Sequence, residues 1–329
     1  MINLGIIGCS EIAFRRFMPA AESLNEINIC SIAEEYDKSK LDVFCDKYKL
    51  EIKDDFQSLI NDPKINAVYI PQPPALHYKW AKVALEHGLH VLIEKPSTIS
   101  YELSKELVEI AKKNNLALHE NYMFQYHSQI GKIRDIINSG KIGEIRLLRA
   151  DFGFPKRAAN DFRYNKSLGG GALLDAGGYA VKLACLLLDD TIKVDSAMLN
   201  YLPEYEVDMY GSATLSNSTG QVMQIGFGMD NSYRCSLDVW GSTGHLSTNR
   251  IFTAPENYNP IINIEYVSGK EEITLEPDTH FSHSIEMFID ETSNKYNREK
   301  MYNDIILQAK LIDDISNKGK NNTKWKVQQ

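Results

Sequence analysis

Over the first 120 residues, short apolar runs alternate with amphipathic segments, and no other feature restricts the fold as tightly. Residues 3 to 8 read as a strand, and residues 11 to 24 as a helix that Pro19 bends or breaks. Residues 27–33, 65–70, 90–93 and 116–119 read as further strands, with helices over 38–48, 76–87 and 101–114 between them. Parallel strands joined in this way need right-handed crossovers and bind ligands outside the carboxyl ends of the sheet. The expected fold class is α/β: a doubly wound, mostly parallel sheet over residues 1–120, then an α+β domain over 121–329 with a mostly antiparallel sheet.

The first strand end carries a turn with chemical content. Gly8-Cys9-Ser10-Glu11-Ile12-Ala13 is a G-x-G-x-x-A dinucleotide fingerprint with serine at the second glycine. Gly8 makes the tight turn, Ser10 lets the backbone approach a pyrophosphate, and Ala13 permits close packing at a helix N-terminus. Glu34 or its neighbour Glu35 ends the second strand. A carboxylate there accepts ribose hydroxyls and repels an added phosphate, so of NAD(H) and NADP(H) the residue favours NAD(H). Pro71, Gln72 and Pro73 fix an extended path at the next strand end, with His77 as a ligand contact or a structural helix-start histidine. Val91 to Pro96 then delivers Glu94 and Lys95 at the mouth of a buried strand, which makes Lys95 a fixed cation at a cleft shared by two domains.

Period-two segments at 195–201, 207–215, 221–227, 233–240 and 261–266 supply the second sheet, after a helix at 124–138 and a strand at 144–152. Apolar residues on its outward face point to a homodimer or homotetramer built through that sheet. Helices over 282–292 and 296–317 close the chain, ahead of a polar tail expected to be loosely ordered. Between strands, Gly169-Gly170-Gly171 leads into a helix that presents Asp175 and Tyr179 one turn apart on one face. Gly177 and Gly178 inside that helix mark a place where a cofactor or another backbone comes close.

Composition narrows the partners. With 36 Lys plus Arg against 44 Asp plus Glu, the net charge of −8 leaves no basic stripe for nucleic acid or an anionic membrane. Five scattered cysteines without C-x-x-C suit a reducing cytoplasm better than a disulfide framework or zinc cage. Neither a signal peptide nor a bilayer-length apolar run is expected. His280-x-x-His283 lacks further ligands, so no metal site is assigned.

In order and spacing, Gly8 to Ala13, Glu94-Lys95-Pro96 and Gly169-Gly170-Gly171 running into Asp175 and Tyr179 resemble the Gfo/Idh/MocA oxidoreductases over nearly the whole chain. The resemblance implies an N-terminal Rossmann domain, a C-terminal domain with a large open sheet used for oligomerisation, and a nicotinamide cofactor between them, with Lys95 and Asp175 in the family's catalytic positions. Finer stretches resemble the sugar-nucleotide 3-ketoreductases: Pro71 to Pro74, Glu120-Asn121-Tyr122-Met123-Phe124, Asp161-Phe162-Arg163-Tyr164, and Tyr179 where polyol dehydrogenases usually carry histidine. Those ketoreductases generally use NADPH and carry Ser-Arg where this chain has Glu34-Glu35.

On that reading the cofactor meets residues 8–12, Glu34, Pro71, Gln72, Pro73, His77, Glu94, Lys95 and Asn121. The sugar meets Tyr122, Tyr164, Asp175 and Tyr179, and Arg163 and Arg234 face the diphosphate of a nucleotide sugar. Lys95 polarises a ketone, Tyr179 donates the proton and Asp175 orients them. Two other readings are an NAD-dependent dehydrogenase of a free sugar or polyol, which Glu34 favours and Tyr179 opposes, and a non-catalytic dinucleotide sensor, which an intact Lys95, Asp175 and Tyr179 oppose.

Overall fold

The structure, a computed structural model, describes residues 1–322, and the expected polar tail beyond them lies outside the described residues. The described residues divide into two compact units, residues 1–123 with 281–309 and residues 124–280 with 310–322.

The first unit begins with β1 (Ile2–Ile7), a π-helical turn (Ala13–Phe17) and α1 (Met18–Glu22). It continues through β2 (Ile27–Ala33), α2 (Ser39–Tyr48), the short β3 (Glu51–Ile52), α3 (Phe56–Ile60), β4 (Ala67–Ile70), α4 (Pro74–Glu86), β5 (His90–Glu94), α5 (Tyr101–Asn114) and β6 (Leu118–Asn121). The sheet order β3-β2-β1-β4-β5-β6 is parallel throughout, so the strand order reverses at β1 and β4. That reversal opens the crevice in which such sheets bind dinucleotides. All four residues of β4 and the apolar centre of β5 are fully covered, which is why these strands read as continuous apolar runs rather than alternating ones.

The second unit begins with a 3₁₀ turn ending at Tyr126, then α6 (Ser128–Asn138) and β7 (Ile145–Gly153). A second π-helical turn (Leu173–Gly177) runs into α7 (Gly178–Leu187). There follow β8 (Lys193–Tyr201), β9 (Asp208–Ser216), β10 (Val222–Gly228), β11 (Arg234–Gly241), β12 (Gly244–Asn249), β13 (Ile261–Tyr266) and β14 (Gly269–Thr274). The eight strands are ordered β14-β13-β12-β11-β7-β10-β9-β8 and antiparallel except where β10 lies parallel to β7. Helix α7 covers one face, where the Gly177 backbone sits so close to Phe227 of β10 that a Cβ would lie 3.2 Å from its ring. Close approach of another element, expected at the paired glycines, is therefore supplied by the sheet.

The chain closes with α8 (His280–Ser293) and α9 (Lys295–Asn322). Here the division differs from a cut at 120. Residues 281–309 return to the first unit, where Met301, Tyr302 and Ile305 enter the same core as Val68, Trp80, Leu107 and Leu118, and the Tyr302 hydroxyl donates to the Leu116 carbonyl. Helical periodicity identifies both helices but carries no information about which sheet they cover. Strands β3, β12 and β14 and helix α3 were not read from sequence. Two of these are too short for a period, and β14 (Gly-Lys-Glu-Glu-Ile-Thr) is too charged to show one.

Candidate active site

The turn after β1 is built around a missing side chain. Gly8 has φ +106°, and a Cβ there would fall 1.7 Å from Gln72 Nε2. That amide occupies the space to donate to the Ile7 carbonyl at 3.1 Å. Ser10 then caps the following helix, its Oγ accepting from the Ala13 amide at 3.1 Å. The turn thus leaves backbone close to an open helix end, the feature a pyrophosphate requires.

Glu34 is integrated into the same turn. Its Oε2 accepts from the Cys9 amide at 2.6 Å and its Oε1 from the Tyr36 and Asp37 amides at 2.8 and 3.3 Å, with the residue buried. It is therefore a structural clamp between β1 and β2. Glu35 turns away and accepts from the Phe56 amide. Burial, and then the Glu34 charge, push the Cys9 thiol up to about 12, so Cys9 contributes its backbone rather than a nucleophile.

His77 does not face a ligand. It is fully buried, with Nε2 2.6 Å from the Gln72 carbonyl and Nδ1 2.8 Å from the Pro96 carbonyl. Desolvation pulls its pKa down to about 4 against the two carbonyl contacts, and the ring is wedged between the loop after β4 and the loop after β5. The cofactor role expected of His77 gives way to a positional one. Pro71 and Gln72 are likewise buried, while Pro73 is half-buried. Tyr122, assigned above to the sugar, is fully buried.

At the carboxyl end of β5, Glu94 and Lys95 are half-buried, and the Lys95–Pro96 peptide is cis. Glu94 Oε1 accepts from the Tyr69 hydroxyl and from Asn121 Nδ2, each at 2.7 Å. Burial pushes the Glu94 pKa up, and those two donors oppose the shift.

In the second unit, the glycine run is explained by Arg163 and Asp208. A Cβ on Gly170 would lie 2.3 Å from the Arg163 carbonyl, and one on Gly171 (φ +125°) would lie 2.5 Å from Asp208 Oδ1. Asp208 caps the π-helical turn, its Oδ2 accepting from the Leu173 amide at 2.7 Å, and burial pushes it up to about 6. The turn has one residue more than the α-helical spacing from which Asp175 and Tyr179 were assigned to one face. Such π-turns concentrate at functional sites, and both in this chain sit where a helix starts beside a motif.

Asp175 Oδ2 accepts from Arg163 Nε at 2.7 Å, and Arg163 Nη1 donates to Asp161 Oδ1 at 3.1 Å. Burial lowers the guanidinium pKa, but the two carboxylates outweigh it and the net shift is upward. Arg163, expected to face a diphosphate, is instead committed to Asp175. The Tyr179 ring is held among Phe124, Phe152 and Phe252 at centroid distances of 5.7, 5.2 and 5.8 Å. Tyr164 is half-buried, its hydroxyl accepting from the Arg157 amide at 2.7 Å and its ring 5.1 Å from that of Tyr205.

Arg234 lies elsewhere. It alternates with the buried Cys235 on β11 and pairs with Asp151 of β7 at 3.2 Å, whereas Phe152, the neighbour of Asp151, packs on Tyr179. Side chains alternate across a sheet, so Arg234 and Tyr179 occupy opposite faces of this unit. Its expected diphosphate role is not compatible with that placement.

A Rossmann crevice with a phosphate-binding turn, a lysine at a strand mouth, and a second domain carrying an Asp and a Tyr define a dinucleotide-dependent oxidoreductase. Residues 2–122 match the model described as "Oxidoreductase family, NAD-binding Rossmann fold", and residues 130–247 match the "GFO/IDH/MocA C-terminal domain". The chain belongs to the Gfo/Idh/MocA oxidoreductase family, and it binds NAD(P).

Among its relatives is the dTDP-3,4-didehydro-2,6-dideoxy-alpha-D-glucose 3-reductase of Actinomadura kijaniata, 35% identical and matched over 95% of this chain and 94% of the relative. The enzyme of the same name from Saccharopolyspora spinosa is 36% identical over 87% and 86% of the two chains. A crystal structure of an A. kijaniata 3-ketoreductase in complex with NADP and TDP-benzene superposes with a TM-score of 0.93 at 34% identity, covering 96% of this chain and 97% of the other.

Proposed function

We propose that the protein reduces a keto group on a nucleotide-linked deoxysugar, with a dTDP-linked 3-keto sugar as the substrate class. The similarity to dTDP-sugar 3-reductases over almost the full chain carries this reading. Bound nicotinamide in its reduced form supplies the hydride to the carbonyl carbon. Charge grows on the carbonyl oxygen as the hydride arrives, and the Lys95 ammonium stabilises it. The Tyr179 hydroxyl, its ring fixed by three phenylalanines, supplies the proton, and Asp175 orients the donor groups.

Gly8, Ser10 and the helix start they leave open fit the pyrophosphate of either dinucleotide. Glu34 favours NADH over NADPH, because a buried carboxylate at the ribose repels a 2′-phosphate and no arginine follows it. The discriminating experiment is a panel of dTDP-linked keto sugars, free sugars and polyols, followed by nicotinamide absorbance with NADH and NADPH separately. The expected result is turnover of a dTDP-keto sugar with at least about tenfold higher kcat/KM for NADH, roughly 1.4 kcal/mol of discrimination. Oxidation of a free sugar or polyol alone would favour the dehydrogenase reading, and no turnover with any substrate the sensor.

The outward face of the second sheet exposes Trp240, Tyr210 and Ile261 beside Arg149 and Asp238. Paired on a second copy, this face gives a homodimer or homotetramer. Light scattering of the purified chain is expected to give two or four times the 37.3 kDa monomer mass, and a monomer at micromolar concentration would end this reading.

A further inference from the structure

A hydrogen-bonded chain that no motif announces runs through the interior of the first unit and ends on the residue before Lys95. It starts at Glu291 of α8, which is 1% exposed and has both carboxylate oxygens 3.1 Å from Nδ1 of the fully buried His119 on β6. His119 Nε2 lies 3.0 Å from Ser284 Oγ. Ser284 donates to Asn121 Oδ1 at 2.8 Å, and Asn121 Nδ2 donates to Glu94 Oε1 at 2.7 Å. Sequence separations of 172, 165 and 163 residues at the three α8 contacts explain why spacing could not reveal the arrangement.

Counting protons fixes its polarity. A serine has a single hydroxyl proton, so Ser284, donating to Asn121, must accept from His119, and Nε2 carries a hydrogen. Nδ1 then shares the remaining proton with Glu291, as imidazolium and carboxylate or as neutral imidazole and carboxylic acid. Burial pushes Glu291 up and the contact with His119 pulls it down, but either form leaves the Nε2 hydrogen on Ser284. The serine in turn fixes the Asn121 amide, which has one orientation that satisfies Ser284 and Glu94 together. In the flipped amide, Oδ1 would face Glu94 Oε1, oxygen against oxygen. Among the described residues both side-chain donors fall on Glu94 Oε1, with the Lys95 amide also bearing on the carboxylate, which leaves Oε2 clear of side-chain donors and fixes the orientation in which a ligand would meet it.

We propose that Ser284, His119 and Glu291 are positioning residues that, through the Asn121 amide, hold Glu94 with its second oxygen presented to donors of the nicotinamide half of the dinucleotide. The inference rests on the assignment of the dinucleotide to the carboxyl ends of the first sheet, where β5 and β6 end in Glu94 and Asn121. Helix α8, distant in sequence from every motif, would then contribute to cofactor affinity without touching the cofactor.

The test uses binding, not turnover. Ser284→Ala and His119→Gln are compared with wild type for NADH and NADPH, followed by nicotinamide fluorescence, and for ADP-ribose, which lacks nicotinamide, followed by calorimetry; thermal melts check folding. Both variants are expected to bind the reduced dinucleotide at least tenfold more weakly while ADP-ribose affinity stays within twofold. A purely structural role would lower the melting temperature and weaken both ligands alike, or leave both unchanged, and either result would overturn the proposal. Wild type that binds neither ligand would instead remove the dinucleotide assignment on which it stands. If His119→Gln fails to fold, Ser284→Ala alone decides, since it deletes one oxygen from the buried chain.

Discussion

Lys95→Ala is expected to lower kcat about 10²- to 10³-fold, with the dinucleotide Kd changed no more than about threefold. That loss corresponds to about 3 to 4 kcal/mol of transition-state stabilisation, the size of one preorganised charged donor opposite a developing oxyanion. The lysine directly follows a strand whose Val91, Leu92 and Ile93 are fully covered, and the next residue is a buried proline, so the backbone that carries it is fixed at both ends. A cation placed in this way costs little reorganisation when charge appears. Lys95→Arg restores the charge but not the function, because a guanidinium is planar and longer and does not place a compact charge at the same point. Single-turnover hydride transfer and dinucleotide fluorescence titration, measured on the same preparations, separate the two quantities. Retention of wild-type kcat by the alanine variant would remove Lys95 from the chemistry and leave it as a binding residue.

The site was legible in sequence where chemistry depends on local spacing. The turn at Gly8 to Ala13 and the strand ending in Glu94 ahead of Lys95 each lie within a few residues and follow from strand periodicity, whereas the α-helical spacing read for Asp175 and Tyr179 meets a π-turn at Leu173–Gly177. What spacing could not carry was the partner of each side chain. His77 reads as a ligand from its position at a helix start, but it is taken up by two backbone carbonyls, one of them 19 residues away. Arg234 sits in a period-two strand whose phase does not say which face a helix will cover, and one step along the strand separates the faces. Glu34 reads as a ribose ligand, yet most of its hydrogen-bonding capacity serves the turn itself. The helices at the end of the chain were visible, but their membership of the first unit depends on a core contributed by residues hundreds of positions earlier.

The second large effect is expected at Arg163, where the structure and the sequence assign different work to one side chain. A guanidinium meant for a diphosphate would stand open to it. Here Nε is spent on Asp175 at 2.7 Å and Nη1 on Asp161 at 3.1 Å, and the guanidinium carbon lies 4.6 Å from the Phe162 ring centroid. The Arg163 backbone is fixed as well, since its carbonyl accepts from the Gly171 amide at 3.0 Å at the entrance to the helix that bears Asp175. Arg163→Met keeps the length of the stem and removes the charge, leaving two carboxylates without their cation. Folding stability should fall by about 2 kcal/mol, the usual scale for hydrogen bonds to a charged group. If Arg163 acts through Asp175, kcat drops about 30- to 100-fold while dTDP binds within about twofold of wild type, the pattern of an interaction made only in the transition state. If it grips the diphosphate, the order inverts, and dTDP affinity falls with kcat nearly preserved. Asp175→Asn and the double variant complete a cycle, and residues acting as one unit should give a double variant little worse than the poorer single one. Strict additivity of the two losses would separate Arg163 from Asp175 and return the arginine to the substrate.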